Sequence, residues 1–331
     1  MILSSWITSE AIGLEQREYM RLLMMRAPVI LYEVLKFCTA TLLDGVTCDV
    51  DLVEYFCGVA SDVRAFKDMG LTAVGYDFLK DPFFMNMLGT AGIVTALMLA
   101  LRIRNGDGAA WLATVCSSWV WICRSGSKRS SSEPLGDADA AFVQDGNTMT
   151  ARTGLIMLLM LAKRSWWLLE QPQSSLMSLH PALAYIRSLP LPWCQWHEAT
   201  TYMGAYSAES MKPTVLWSNR WWVHGLTRER PPASDFEDTQ VTTKTIKNCK
   251  VQVTGGSGLK KTQAYPDDFG RAFCELFIEM NGTEDVTDDI GHFEERPVDP
   301  YAWAELRMDD VMAHIMAPPC ESWSRASSSS R

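Results

Sequence analysis

Three stretches of this sequence carry side chains whose types and spacing suit chemistry on a nucleotide. In the first, Glu54-Tyr55-Phe56-Cys57-Gly58-Val59-Ala60, an apolar strand gives way to small residues. Such a turn lets main chain approach a nucleotide closely at the carboxyl end of a strand. Asp77 follows Gly58 by about twenty residues, the spacing at which a carboxylate on the next strand accepts hydrogen bonds from ribose hydroxyls. The second, Arg124-Ser125-Gly126-Ser127-Lys128-Arg129-Ser130, is the best candidate for phosphate contacts, although a solvated loop has the same composition. The third is aromatic: among thirteen tryptophans, Trp119, Trp121, Trp221 and Trp222 are candidates to stack on bases. In the tandem pairs Trp166-Trp167 and Trp221-Trp222, strand geometry turns neighbours to opposite faces, so at most one of each lines a cleft. A Gly-x-Ala turn also occurs in α/β proteins of other function, so the first stretch is a nucleotide site only if its surroundings agree.

Those surroundings are strands alternating with helices. Val50 to Phe56 reads as a short apolar strand, Val63 and Phe66 mark one face of a helix that Gly70 caps, and Thr72 to Tyr76 is a second strand ending at Asp77. A helix from about Thr90 to Arg104 follows, then an apolar run, Ala110 to Val115, that Cys116 terminates. A long helix around Met149 to Lys163 leads to the buried strand Trp166 to Leu169, which ends at Glu170-Gln171-Pro172. Gln195 to Ala199 and Pro213 to Ser218 supply the last two strands, and Asp268 to Met280 a closing helix. The alternation predicts a doubly wound, mainly parallel α/β sheet of Rossmann-like type. Residues 1–46 form a helical extension of two helices, 47–282 the α/β domain, and 283–331 an acidic, serine-rich tail expected to be dispensable for folding. Within the domain, 220–262 is irregular and is a candidate target-recognition insert.

Composition sets further bounds. At 331 residues, 47% hydrophobic and 21% charged, the chain can bury a sizeable core. Its longest apolar run, Ala91 to Leu101, is about half of what a membrane span needs. The N-terminus lacks the basic start of a secretory signal, and nine cysteines show no paired C-x-x-C spacing, so an intracellular, reducing setting without structural metal is expected. The net charge of −9 opposes indiscriminate binding to a polyanion and confines any nucleic-acid surface to a local patch.

Taken in order, Phe56-Cys57-Gly58-Val59-Ala60, Val74-Gly75-Tyr76-Asp77, Cys116-Ser117-Ser118-Trp119 and Glu170-Gln171-Pro172 resemble the motifs of DNA cytosine-5 methyltransferases and their phage and dinoflagellate relatives. Lys212-Pro213-Thr214-Val215-Leu216-Trp217-Ser218-Asn219 and Tyr265-Pro266-Asp267-Asp268-Phe269-Gly270 extend the resemblance over roughly residues 49 to 281. It implies a fold that binds S-adenosylmethionine through Phe56, Cys57, Gly58, Ala60 and Asp77. It also implies methyl transfer to carbon 5 of cytosine, with Cys116 as the nucleophile at carbon 6 and Glu170 at the N3 edge of the ring. The base must then be flipped out or already unpaired. Arg124, Lys128 and Arg129 would make the surroundings of Cys116 electropositive, and with Lys212 would contact nucleic acid, DNA in preference to RNA.

The chain departs from the family pattern at informative places. Val115 stands where the family has proline, Gln171 where it has asparagine and Ala60 where it has a second glycine, and no Arg-x-Arg pair lies near Lys212. A second cysteine motif, Pro318-Pro319-Cys320-Glu321-Ser322-Trp323, matches the family's Pro-Pro-Cys loop but has no following Glu-x-Pro strand. Two other readings use the same residues: a non-catalytic protein that keeps the fold and binds without reacting, and a methyltransferase acting on RNA or another substrate without the Cys116 route.

Overall fold

The apolar segment before the Gly58 turn forms β1 (Leu52–Tyr55), which pairs in parallel with β2 (Ala73–Tyr76) on one side and β3 (Ala109–Leu112) on the other. A parallel strand covered on both faces is buried along its whole length, and all four β1 residues, the carboxyl-bearing Glu54 among them, are buried. β4 (Trp166–Pro172) continues the parallel set beside β3. β5 (His197–Tyr202) and β6 (Pro213–Ser218) then complete a six-stranded sheet of order β2-β1-β3-β4-β6-β5. β6 runs antiparallel to both its neighbours, β4 and β5. The sheet is thus α/β and mostly parallel, as the alternation of elements predicts, with one reversed strand. This computed structural model describes residues 8–41, 46–236, 242–247, 250–255, 262 and 264–283.

Pleating sorts the aromatic residues of β4 to the two faces. Trp166 and Leu168 join the core beneath α3 (Ser61–Asp68) and α8 (Asp267–Thr283), while Trp167 and Leu169 join the core on the opposite face. That second core is covered by α4 (Thr90–Arg102), α6 (Ala141–Lys163) and α7 (Pro181–Ser188). The short helix α5 (Arg124–Ser127) lies in the loop after β3.

The two N-terminal helices, α1 (Gln16–Met24) and α2 (Val29–Thr41), are not a separate unit. Leu22, Leu31, Tyr32 and Leu35 are buried in the same core as β1 and β4 residues, and Arg21 donates to the Ala162 carbonyl at 2.9 Å. Residues 220–262 are less irregular than expected: Trp221–Leu226 and Ala233–Phe236 are 3-10 turns, and β7 (Thr242–Lys247) pairs antiparallel with β8 (Lys250–Gly255). Trp221 and Trp222 are therefore not strand neighbours, although Trp222 is buried and Trp221 exposed. Among the described residues no helix is long and apolar enough to cross a membrane. The acidic tail beyond residue 283 and the Cys320 motif lie outside the described residues.

Candidate active site at the carboxyl edge of the sheet

The strand order reverses its direction of growth at β1, because the chain moves outward to β2 and returns to β3 on the other side. In open α/β sheets a crevice forms there, beyond the carboxyl ends of the strands. Along that edge, in spatial order, stand Asp77 after β2, Phe56 to Ala60 after β1, Cys116 after β3 and Glu170 near the end of β4.

The turn after β1 is built from left-handed backbone. Phe56, Gly58 and Ala60 have φ of 60°, 48° and 59°. Non-glycine residues adopt this conformation at a cost of about 1–2 kcal/mol each, which accounts for the second glycine in the related motif at the place of Ala60. Asp77 holds the turn: its Oδ2 accepts the Gly58 amide at 2.9 Å, and its Oδ1 accepts the Leu79 amide at 2.8 Å. Both oxygens keep acceptor capacity toward a ribose. A side chain at Gly58 would meet nothing within 4 Å, so the space in front of its main chain is open. Cys57 points the other way; its thiol is buried beneath the turn, and burial first, then the Glu54 carboxylate, raises it to about 11.

Under this turn lie carboxyl groups that motif reading passed over. Glu54 on β1 accepts the Val63 amide in the first turn of α3 at 3.0 Å, and burial raises it to about 7. Asp62 is 0% exposed, and neither of its oxygens has a hydrogen-bond partner. Burial first, then the carboxylates of Glu54 and Glu170, hold it well above the ordinary carboxylate range. An acid in the first turn of a helix reads in sequence as a partner of the helix dipole, so its burial leaves no local signal.

The loop carrying Cys116 is held by side chains rather than by proline. Gln171 donates to the Thr114 carbonyl at 2.6 Å and accepts the Ser175 hydroxyl at 2.9 Å, and the Thr114 and Thr153 hydroxyls bond at 2.8 Å. Arg129 completes the arrangement. Its five guanidinium bonds reach Ser118 O (3.0 Å), Pro134 O (2.6 Å), Asn147 Oδ1 (2.8 Å), Ser118 Oγ (3.0 Å) and Val143 O (3.1 Å). The guanidinium carbon also sits 3.3 Å from the centroid of the Trp119 ring. This corrects two expectations: Arg129, 2% exposed, has no donor left for phosphate, and Trp119, 0% exposed, cannot stack on a base. Lys128 is exposed but pairs with Asp137 at 2.5 Å; Arg124 and Trp121 are exposed.

Glu170 is buried where three segments meet. Its Oε2 accepts the Tyr265 hydroxyl at 2.8 Å, and its Oε1 lies 3.4 Å from Lys212 Nζ. The Tyr265 carbonyl in turn accepts Ser61 Oγ at 2.8 Å, which ties the approach to α8 to the start of α3. Lys212, expected at a phosphate, is thus the counter-ion of Glu170, with its side chain 16% exposed. Cys116 is partly buried beside this pair. Burial raises its thiol to about 11, the Glu170 carboxylate adds to the rise, and Lys212 opposes it. The cation that acts on Cys116 is therefore Lys212, not the Arg124–Arg129 loop.

The site thus gathers a turn open at Gly58, the Asp77 carboxylate, a partly buried thiol and a buried Glu–Tyr–Lys cluster along one edge. Comparison with known proteins returned no matching family model, no matching curated protein and no matching solved structure.

Proposed function

We propose that this protein binds S-adenosylmethionine in the turn after β1 and transfers its methyl group to carbon 5 of cytosine in DNA. The observation that carries the reading is convergence at the carboxyl edge: Asp77, Gly58 and Cys116 follow three neighbouring parallel strands and Glu170 lies on the fourth, so motifs scattered over more than a hundred residues share one edge. The reversed strand β6 also sets this sheet apart from the all-parallel order of dinucleotide-binding domains.

The residues fit the cofactor. Open space at Gly58 admits close approach of a ligand, and the two Asp77 oxygens keep acceptor capacity for its ribose hydroxyls. When bound, S-adenosylmethionine supplies an electrophilic methyl group. The chain's own work is then to make carbon 5 nucleophilic. Cys116 Sγ, as the thiolate, would add to carbon 6 as a proton from Glu170 reaches N3. After methyl transfer to carbon 5, a base such as water would remove the carbon 5 proton, the C5=C6 bond would re-form as the C6–S bond breaks, and N3 would return its proton. The Lys212 cation, which opposes the rise of the Cys116 thiol, would favour the thiolate that this addition needs.

One observation favours a second reading. A thiol raised to about 11 is ionised in only about one molecule in ten thousand at pH 7, as expected of a binding protein that retains the fold without the chemistry. Incubation with labelled S-adenosylmethionine and mixed DNA and RNA, followed by nucleoside analysis, decides between them. Label in 5-methyldeoxycytidine supports transfer to DNA, label in a ribonucleoside moves the substrate to RNA, and cofactor binding without labelled nucleoside selects the non-catalytic protein.

A further inference from the structure

At the amino edge of the sheet, opposite the candidate site, a cavity of about 320 Å³ is lined by Gly13, Glu15, Glu18, Cys48, Asn105 and Lys163, with Leu14 and Val46. Cys48 lies just before β1, and Lys163 is the last residue of α6, just before β4. Far apart in sequence, they meet here: Lys163 Nζ is 3.6 Å from Cys48 Sγ and donates to the Leu101 carbonyl at 2.8 Å. The thiol is exposed, while the lysine is 3% exposed. A small solute reaches the sulfur through the cavity, and the amine is the nucleophile waiting beside it.

We propose that Cys48 and Lys163 form an oxidisable pair, in which a hydroperoxide oxidises the Cys48 thiol and the Lys163 amine captures the product as a sulfur–nitrogen cross-link. In the first step Sγ attacks the terminal peroxide oxygen: the S–O bond forms, the O–O bond breaks, and the peroxide leaves as an alcohol or, from hydrogen peroxide, as water. The product is a sulfenic acid, the species that condenses with nitrogen to a sulfenamide. In the second step Nζ attacks Sγ, the S–O bond breaks, and hydroxide leaves as water with a proton from the nitrogen. Sulfur loses two electrons to the peroxide, and the pair loses two hydrogens overall.

The capture step needs a neutral amine, and the neighbours favour one. Burial lowers the Lys163 ammonium, and burial raises the Glu18 carboxyl that faces it, so both shifts run toward an uncharged amine and acid. Cys48 also contacts the Leu101 carbonyl and Asn105 Oδ1, each at 3.7 Å, which keep the sulfur at the cavity wall beside Nζ. The link would join the entrance of β1 to the end of α6, two points 115 residues apart.

Full-length protein is treated with hydrogen peroxide, digested without reductant and analysed by mass spectrometry, with dimedone added in parallel to trap sulfenic acid. The expected product joins the Cys48 and Lys163 peptides at their summed mass less two hydrogens and is cleaved by a thiol reductant. Cys48→Ser abolishes it. Lys163→Arg, which keeps the positive charge but removes the amine, also abolishes it and increases dimedone labelling of Cys48 several-fold. Equal dimedone labelling in wild type and Lys163→Arg, or Cys48 recovered only as sulfinic acid, would overturn the proposal. If Lys163→Arg fails to fold by circular dichroism, the wild-type peptide pair and its loss in Cys48→Ser still decide the matter.

Discussion

The two loops that face each other across the switch point are built on opposite principles. The turn after β1 concentrates left-handed residues, its Gly58 amide is taken by Asp77, and the space in front of Gly58 is left open. The loop after β3 is stapled by Gln171, Thr153 and all five donors of Arg129. A turn that leaves open space in front of its main chain can carry strain, because a ligand needs room to approach. The loop that carries Cys116 is instead over-determined by bonds from distant segments. Val115 in place of proline is tolerable for this reason.

The largest test of the contrast is Arg129→Met. It leaves Ser118, Pro134, Val143 and Asn147 acceptors unpaired in the interior, and we expect a loss of about 4 kcal/mol in urea unfolding with unchanged denaturant slope. A loss near that of an ordinary surface substitution, about 0.5 kcal/mol, would mean that the staple is not what holds the loop.

Next comes pH. Glu54 is raised from 4.5 to about 7, and Asp62 is raised in the same direction, so the folded chain keeps protons that the unfolded chain releases. The stability from these groups is full below the ordinary carboxylate range and falls as pH rises toward 7. Lys80, Arg64 and Asp77 bear on Glu54, and Arg64 and Glu170 on Asp62, so the pair does not titrate alone. Asp62→Asn should flatten that fall by on the order of 1–2 kcal/mol between pH 5 and 8, read from melting curves across that range. Parallel curves for the two proteins would show that Asp62 is ionised in the fold.

Smaller effects come from the strained turn. Gly58→Val places a branched side chain at φ 48° and in the open space, so we expect at least a tenfold loss of S-adenosylmethionine affinity by calorimetry and a stability cost of about 1–2 kcal/mol. Ala60→Gly relieves a left-handed alanine and should stabilise by up to about 1 kcal/mol, with cofactor affinity unchanged or improved. If both substitutions leave affinity untouched, the cofactor does not sit on this turn.

Legibility in sequence followed the range of the interactions. β1, the Gly58 turn, α3, Gly70 and β2 could be read because strand period, a small-residue turn and a glycine at φ 81° are local signals. α6 begins at Ala141, earlier than its apolar periodicity showed, because its first turns carry Gln144, Asp145 and Asn147. The reversal of β6 had no signature, since a buried antiparallel strand has the composition of a parallel one. Side-chain roles were least legible. Arg129 looked like a phosphate ligand because its acceptors come from four separate positions that only folding assembles. Nothing near Lys212 in sequence indicates that its partner is Glu170 rather than nucleic acid.

The central claim is that Cys116 and Glu170 form one reactive site, and covalent trapping tests it most directly. DNA containing 5-fluorocytosine blocks the final proton removal, so an enzyme of this mechanism stays attached when S-adenosylmethionine is present. The wild type and Cys320→Ser should form the adduct, Glu170→Gln should form it more slowly, and Cys116→Ser should not form it. An adduct that survives Cys116→Ser, or its absence from wild type that demonstrably binds the cofactor, would contradict the account.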